Sequence, residues 1–213
     1  MIAVKLFLEL ALVFGIGAMT ARLVALLQRP QKPDLARVRG REGAAIAYAY
    51  TLAMLPWSKE STRIHWLDYS RGVIFHLGIA GGLITLTLSF FPGLTNLPAP
   101  LLAVGGYFLA IAFICGAIGL ILRATHPRLR SLSTPDDYLA VILVAGFVGL
   151  SSWVLFRPED LSFYYGWAAI MFIYLPFSKI RHFLYWFFAR FFLGQSFGRR
   201  GVLPHPRMEG GSR

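Results

Sequence analysis

Two of the chain's five histidines, His76 in GVIFHLGIAGG and His182 in LPFSKIRHFLYWFF, fall inside strongly apolar runs. An ionisable side chain in a lipid-embedded helix is costly, so it points to a task. Two imidazoles at similar depth on different helices can share one ligand, and a bis-histidine b-type haem fits such a pair. Each ring must then be neutral, present one nitrogen to iron and have the other held by an acceptor. Glycines around His76 (Gly72, Gly78, Gly81, Gly82) would let a flat ring or another helix come close to the backbone. Arg71, Lys179 and Arg181 could neutralise haem propionates, although cations beside apolar spans are also ordinary membrane anchors.

The remaining candidates are weaker. His65 lies eleven residues before His76, close to three helical turns, so the two share a face if the helix continues upstream. It could ligate iron of a second haem, line a quinone pocket or sit among headgroups. His126 and His205 flank prolines in polar segments and read as solvent-exposed. Asp68 and Glu60 could relay protons or merely balance arginines. The lone Cys115 excludes an iron–sulfur cluster or zinc site built on clustered cysteines. No phosphate-binding glycine loop, metalloprotease helix or Ser/His/Asp order occurs.

The elements that must carry these residues are membrane helices. The chain is 56% hydrophobic and only 15% charged, with a mean hydropathy of +0.60. Apolar runs near 20 residues recur, which soluble domains lack. The expected fold is an all-α integral membrane protein, a five-transmembrane-helix bundle with spans at about 2–27, 71–91, 100–122, 138–156 and 161–178. The N-terminal run lacks the positive start and short core of a cleaved signal peptide and reads as a retained first helix. Lys5 and Glu9, one turn apart, can pair at the membrane edge. Residues 44–57 are apolar but too few to cross, and suggest an interfacial or re-entrant helix between spans one and two. The membrane domain is expected over 1–195, followed by a basic tail over 196–213.

The net charge of +11 is distributed as topology signals and as contacts for anionic lipid headgroups or an acidic partner, and no folded basic face for nucleic acid emerges. Arginines crowd the one–two connector, the three–four connector and the C-terminal region, while PGLTNLPAP is uncharged and RPEDLS slightly acidic. The positive-inside rule then puts the N-terminus outside and the C-terminus in the cytoplasm. LPWSK at 55–59 and LPFSK at 175–179 echo each other and read as helix breaks at the membrane surface. Transport would require polar residues at mid-membrane, and spans three and four are almost purely apolar.

On IFHLGIAGG (Ile74–Gly82), LPFSKIRHF (Leu175–Phe183) and LPWSKE followed by FHLGI, the chain resembles the respiratory nitrate reductase gamma-subunit family of membrane cytochromes b. That grouping includes the sulfite-reductase-linked and heterodisulfide-reductase-type membrane subunits. The resemblance covers most of the chain in span order and implies haem iron ligation by His76 and His182. Two-haem members carry further histidines where this sequence has Leu86 and Tyr164, so one haem b is expected. The implied function is electron transfer between the quinone pool, with quinone or quinol as substrate, and a cytoplasmic iron–sulfur subunit. The chain would be a non-catalytic or quinol-oxidising subunit in a bacterial or archaeal cytoplasmic membrane. The partner is expected on the basic face of the one–two connector and tail. A haem-free membrane anchor or assembly subunit for a soluble redox complex is the rival reading.

Overall fold

The computed structural model describes residues 1–30, 34–55, 58, 63–91, 94, 96–159 and 161–203. Every regular element among them is helical: α1 (Ile2–Leu27), α2 (Glu42–Tyr50), α3 (Trp66–Ser89), α4 (Ala99–Thr125), α5 (Pro127–Ser131), α6 (Pro135–Phe156), α7 (Ser162–Tyr174) and α8 (His182–Arg199). Short 3-10 turns occupy Leu52–Met54 and Lys179–Arg181. Four helices, α1, α3, α4 and α6, are long and apolar enough to cross a membrane, which is compatible with a multi-pass membrane protein.

The expected fifth span is different. Its 13-residue helix α7 ends at Tyr174, giving about 20 Å against roughly 30 Å of hydrocarbon. The break has a local cause: Pro176 has no N–H to continue the ladder, and it falls within LPFSK, where a helix break is expected. Helix α3, by contrast, starts at Trp66, five residues earlier than hydrophobicity suggests. The nine residues of α2 are too short to cross, as expected. Pro92, Gly93, Lys59, Glu60 and His205 lie outside the described residues, as does most of LPWSK.

The chain forms two compact units, Met1–Met19 with Leu67–Ile180, and Thr20–Trp66 with Arg181–Arg213. In the first, contacts fix alternating helix directions. Along α3 and α4, Arg71 meets Gly119, Phe75 meets Gly116, Gly78 meets Ala112 and Gly81 meets Leu109, so the helices are antiparallel. A Cβ on Gly78 would stand 2.2 Å from that of Ala112, and only glycine permits this approach. Helix α6 runs antiparallel to α4, with Ser152 donating to the Gly106 carbonyl at 2.7 Å and Arg123 to Ser133 at 3.0 Å. Thr134 caps α6, its N–H donating back to Asp137 at 2.8 Å.

The buried centre of this unit is a polar node in apolar surroundings. Tyr164 donates to the Gly82 carbonyl at 3.2 Å, receives Ser151 at 3.2 Å and stacks on Phe147 at 5.7 Å. Tyr165 and Trp167 likewise donate to the Ser89 and Leu143 carbonyls, both at 2.8 Å. Without a hydrophobic drive between helices in lipid, such bonds and close packing hold the bundle, at about 0.6 kcal/mol per bond. Lys5 faces the Phe90 ring at 5.6 Å, and no ion pair joins it to Glu9 among the described residues.

In the second unit α2 packs antiparallel on α8. Gly194 and Gly198 admit the backbone of Ile46 and the side chain of Ala45, and the Tyr50 hydroxyl donates to the Phe187 carbonyl. Helix α8 continues through residue 195 and ends at Gly201, whose φ of +71° favours glycine. Residues 34–41 cross that end: the Arg39 N–H donates to the Arg199 carbonyl at 2.7 Å, and Arg199 Nε to the Ala36 carbonyl at 2.9 Å.

Candidate functional site

His76 lies on α3 one turn after Gly72, and its Nδ1 is 2.7 Å from the Gly72 carbonyl oxygen. A carbonyl only accepts, so this contact requires Nδ1–H, which in a neutral ring leaves the lone pair on Nε2. The ring is exposed, with the Phe75 ring edge-on at 6.2 Å. Because α3 starts at Trp66, His76 sits ten residues into the helix, about 15 Å along its axis, where an onset at Arg71 would give half that. The neighbouring glycines divide into two uses. Gly78, Gly81 and Gly82 are filled by Ala112, Leu109 and Phe147, whereas a Cβ on Gly72 would meet nothing within 4 Å.

Arg71, one turn before Phe75, lies against Gly119 and pairs with Asp68 at 3.3 Å. Its Nε is buried with no hydrogen-bond partner among the described residues. Leaving such a donor unsatisfied costs about 1–3 kcal/mol.

His182 opens α8 directly after the Lys179–Arg181 turn, and its ring is exposed. It belongs to the second unit and His76 to the first. His65 is exposed in a turn immediately before α3. It stands between the helical residues 63–64 and the first residue of α3. His126 lies exposed between α4 and α5, as expected.

Lys179 has a definite role in the first unit. Its ammonium reaches Asp137 at 2.5 Å and Thr134 at 3.1 Å, while its backbone N–H donates to Asp136 at 3.0 Å. The Tyr174 hydroxyl donates to the same Asp136 carboxylate. Arg123 approaches Asp137 at 3.8 Å. The two adjacent carboxylates at the start of α6 thus clamp the break that follows α7. Residue type alone does not reveal this clamp. The signal was the second acid, Asp137, at the capping-box position.

Leu86 and Tyr164, the positions where histidines are missing, are both buried in the core. Tyr164 fills the space between α3 and α6 through its contacts with Gly82, Ser151 and Phe147. Among the described residues no group of three or more His, Cys, Asp and Glu could hold a bare metal ion. The chain matches no family model, no curated protein and no solved structure.

Proposed function

We propose that this chain is a membrane b-type cytochrome subunit, passing electrons between the quinone pool and a cytoplasmic iron–sulfur partner through one haem b ligated by His76 and His182. The observation that carries the reading is the His76–Gly72 contact at 2.7 Å. It orients the ring as a carbonyl acceptor behind a metal-ligating histidine does and would leave Nε2 of a neutral ring to face iron. The open space at Gly72, one turn before His76, supports room for a bulky group beside α3, and the Arg71 Nε, partnerless among the described residues, marks a cation nearby in sequence. A bound haem b supplies one-electron chemistry, tuned by its ligands and burial.

The protein's own contribution is ligation, orientation and charge. His76 and His182 present imidazole nitrogens, Arg71 and Arg181 offer propionate contacts, and the Asp136/Asp137 clamp engages Lys179 instead. Packing of Tyr164 into the core supports a single-haem reading. The same packing supports five crossings. The segment from Tyr165, bonded to Ser89 at the end of α3, to Lys179, bonded to Asp136 at the start of α6, runs the length of the first unit. Arg71, Arg123, Arg128, Arg130 and Lys179 fall toward one end of this alternating bundle, which supports a cytoplasmic assignment for that end. Helix α2, too short to cross, is read as an interfacial helix.

Adding a quinol analogue to the purified, haem-loaded protein tests the electron-transfer role. Rapid reduction followed by a visible-spectrum change is expected. A folded, colourless protein that still binds a soluble redox complex would make the chain an anchor.

A further inference from the structure

The connector segment 34–41 divides its side chains between two tasks. Asp34 is held inward by the Ala36 N–H at 3.0 Å, by Arg200 at 3.4 Å and by Ser196 at 3.4 Å. The Ala36 carbonyl accepts from Arg199, and Gly40 lies against Gly198 and Gly201 at distances that exclude a side chain. Arg199 is also paired with Glu42 at 3.4 Å. Arg199, the last residue of α8, and Arg200 just after it are therefore used in holding the segment down. Arg37, Arg39 and Arg41 are different. All three are exposed, and none makes an ion pair among the described residues. Between and beside them Leu35 is 91% exposed and Val38 61% exposed.

We propose that residues 35–41 form a pre-built strap that docks on the anionic phospholipid surface, with Arg37, Arg39 and Arg41 on lipid phosphates and Leu35 and Val38 at the headgroup–acyl boundary. Charge complementarity is one support: guanidinium groups bind phosphate oxygens in bidentate fashion, and each basic residue adds attraction to an anionic leaflet. Tether length is another. Only six residues separate Leu27, the last residue of the apolar helix α1, from Asp34. The seven steps from Leu27 to Asp34 span at most about 25 Å, so a membrane contacted by α1 is within reach of the strap. The exposed Leu35 and Val38 favour a lipid surface over an acidic protein, since apolar side chains among arginines gain by insertion while the guanidinium heads remain in the headgroups. Ordering by Asp34 and Arg199 means little entropy is left to lose on docking.

The test is a spin label on the introduced thiol of a full-length Cys115→Ala, Leu35→Cys protein. It is reconstituted into vesicles of phosphatidylcholine with or without phosphatidylglycerol, and collision with oxygen is compared with collision with a water-soluble nickel chelate. With phosphatidylglycerol the label is expected to be shielded from the chelate and reached by oxygen. Omitting that lipid, adding high salt or introducing Arg37→Gln, Arg39→Gln and Arg41→Gln together should expose it. Each arginine removed should weaken docking about fivefold. The lipid and salt arms leave the sequence intact, so they do not depend on the folding of the triple variant. A label equally open to the chelate in all conditions overturns the proposal and leaves the strap available to an acidic protein.

Discussion

The closest helix approach in the first unit provides a stringent test of the packing. Replacing Gly78 by alanine would put its Cβ 2.2 Å from the Ala112 Cβ, and Val148 Cγ1 would stand at 3.4 Å. Ordinary methyl contact needs about 3.5–4.0 Å, so α3 and α4 must separate by more than 1 Å locally. Neither methyl is the flexible end of a longer side chain, and the strain cannot be relieved by a rotamer change. Overpacking of this kind costs about 1–3 kcal/mol. Gly78→Ala should therefore lower unfolding free energy in mixed-micelle denaturation by that amount. Ala112→Gly removes the opposing methyl, so adding it to Gly78→Ala should recover most of the loss. The expected coupling in the double-mutant cycle is at least about 1 kcal/mol. Additive effects, or a Gly78→Ala protein as stable as the parent, would refute the α3–α4 register.

Asp136→Ala should loosen the break after α7. It removes the acceptor of the Lys179 N–H and the Tyr174 hydroxyl. Solvent screening holds the loss near 1 kcal/mol, so amide exchange at Lys179 should accelerate about fivefold by mass-resolved hydrogen exchange, with Asp136→Glu retaining part of the protection. The strap should also respond to acid. The Asp34 carboxyl is held below its ordinary 3.8 first by the Ala36 N–H and then by Arg200 and Ser196. Its contribution is present above the unfolded pKa and is lost as pH falls through the depressed folded value. A spin label at position 35 should accordingly become more mobile only below about pH 4, and Asp34→Asn should abolish that transition.

Hydrophobic runs made the long helices legible, and α1 spans the expected 2–27. They misplaced the start of α3 because Trp66–Ser70 includes polar residues that end an apolar run without ending a helix. Asp68 and Arg71 even pair across one turn there. The helix break at LPFSK was legible from its proline, and α7 does end at Tyr174 just before it, although the span was drawn on to residue 178. At the site, the histidines and arginines could be named from residue type and surroundings. Their partners could not, because Lys179 finds Asp137 across 42 positions and Tyr164 finds Gly82 across 82. The His76–Gly72 contact was within reach of sequence, since any histidine four residues after a helical carbonyl can make it. The joining of residues 34–41 to the end of α8 was not, since only the fold brings Asp34 to Arg200.

The most direct test of the electron-transfer account is the reduced-minus-oxidised visible spectrum of the purified full chain, with haem content per polypeptide from the same sample. A b-type spectrum at one haem per chain is expected, lost in both His76→Ala and His182→Ala proteins that retain their helical circular dichroism. A content near two would bring His65 back as a ligand. A folded parent protein with no haem spectrum, or either variant retaining the full spectrum, would contradict ligation by this pair.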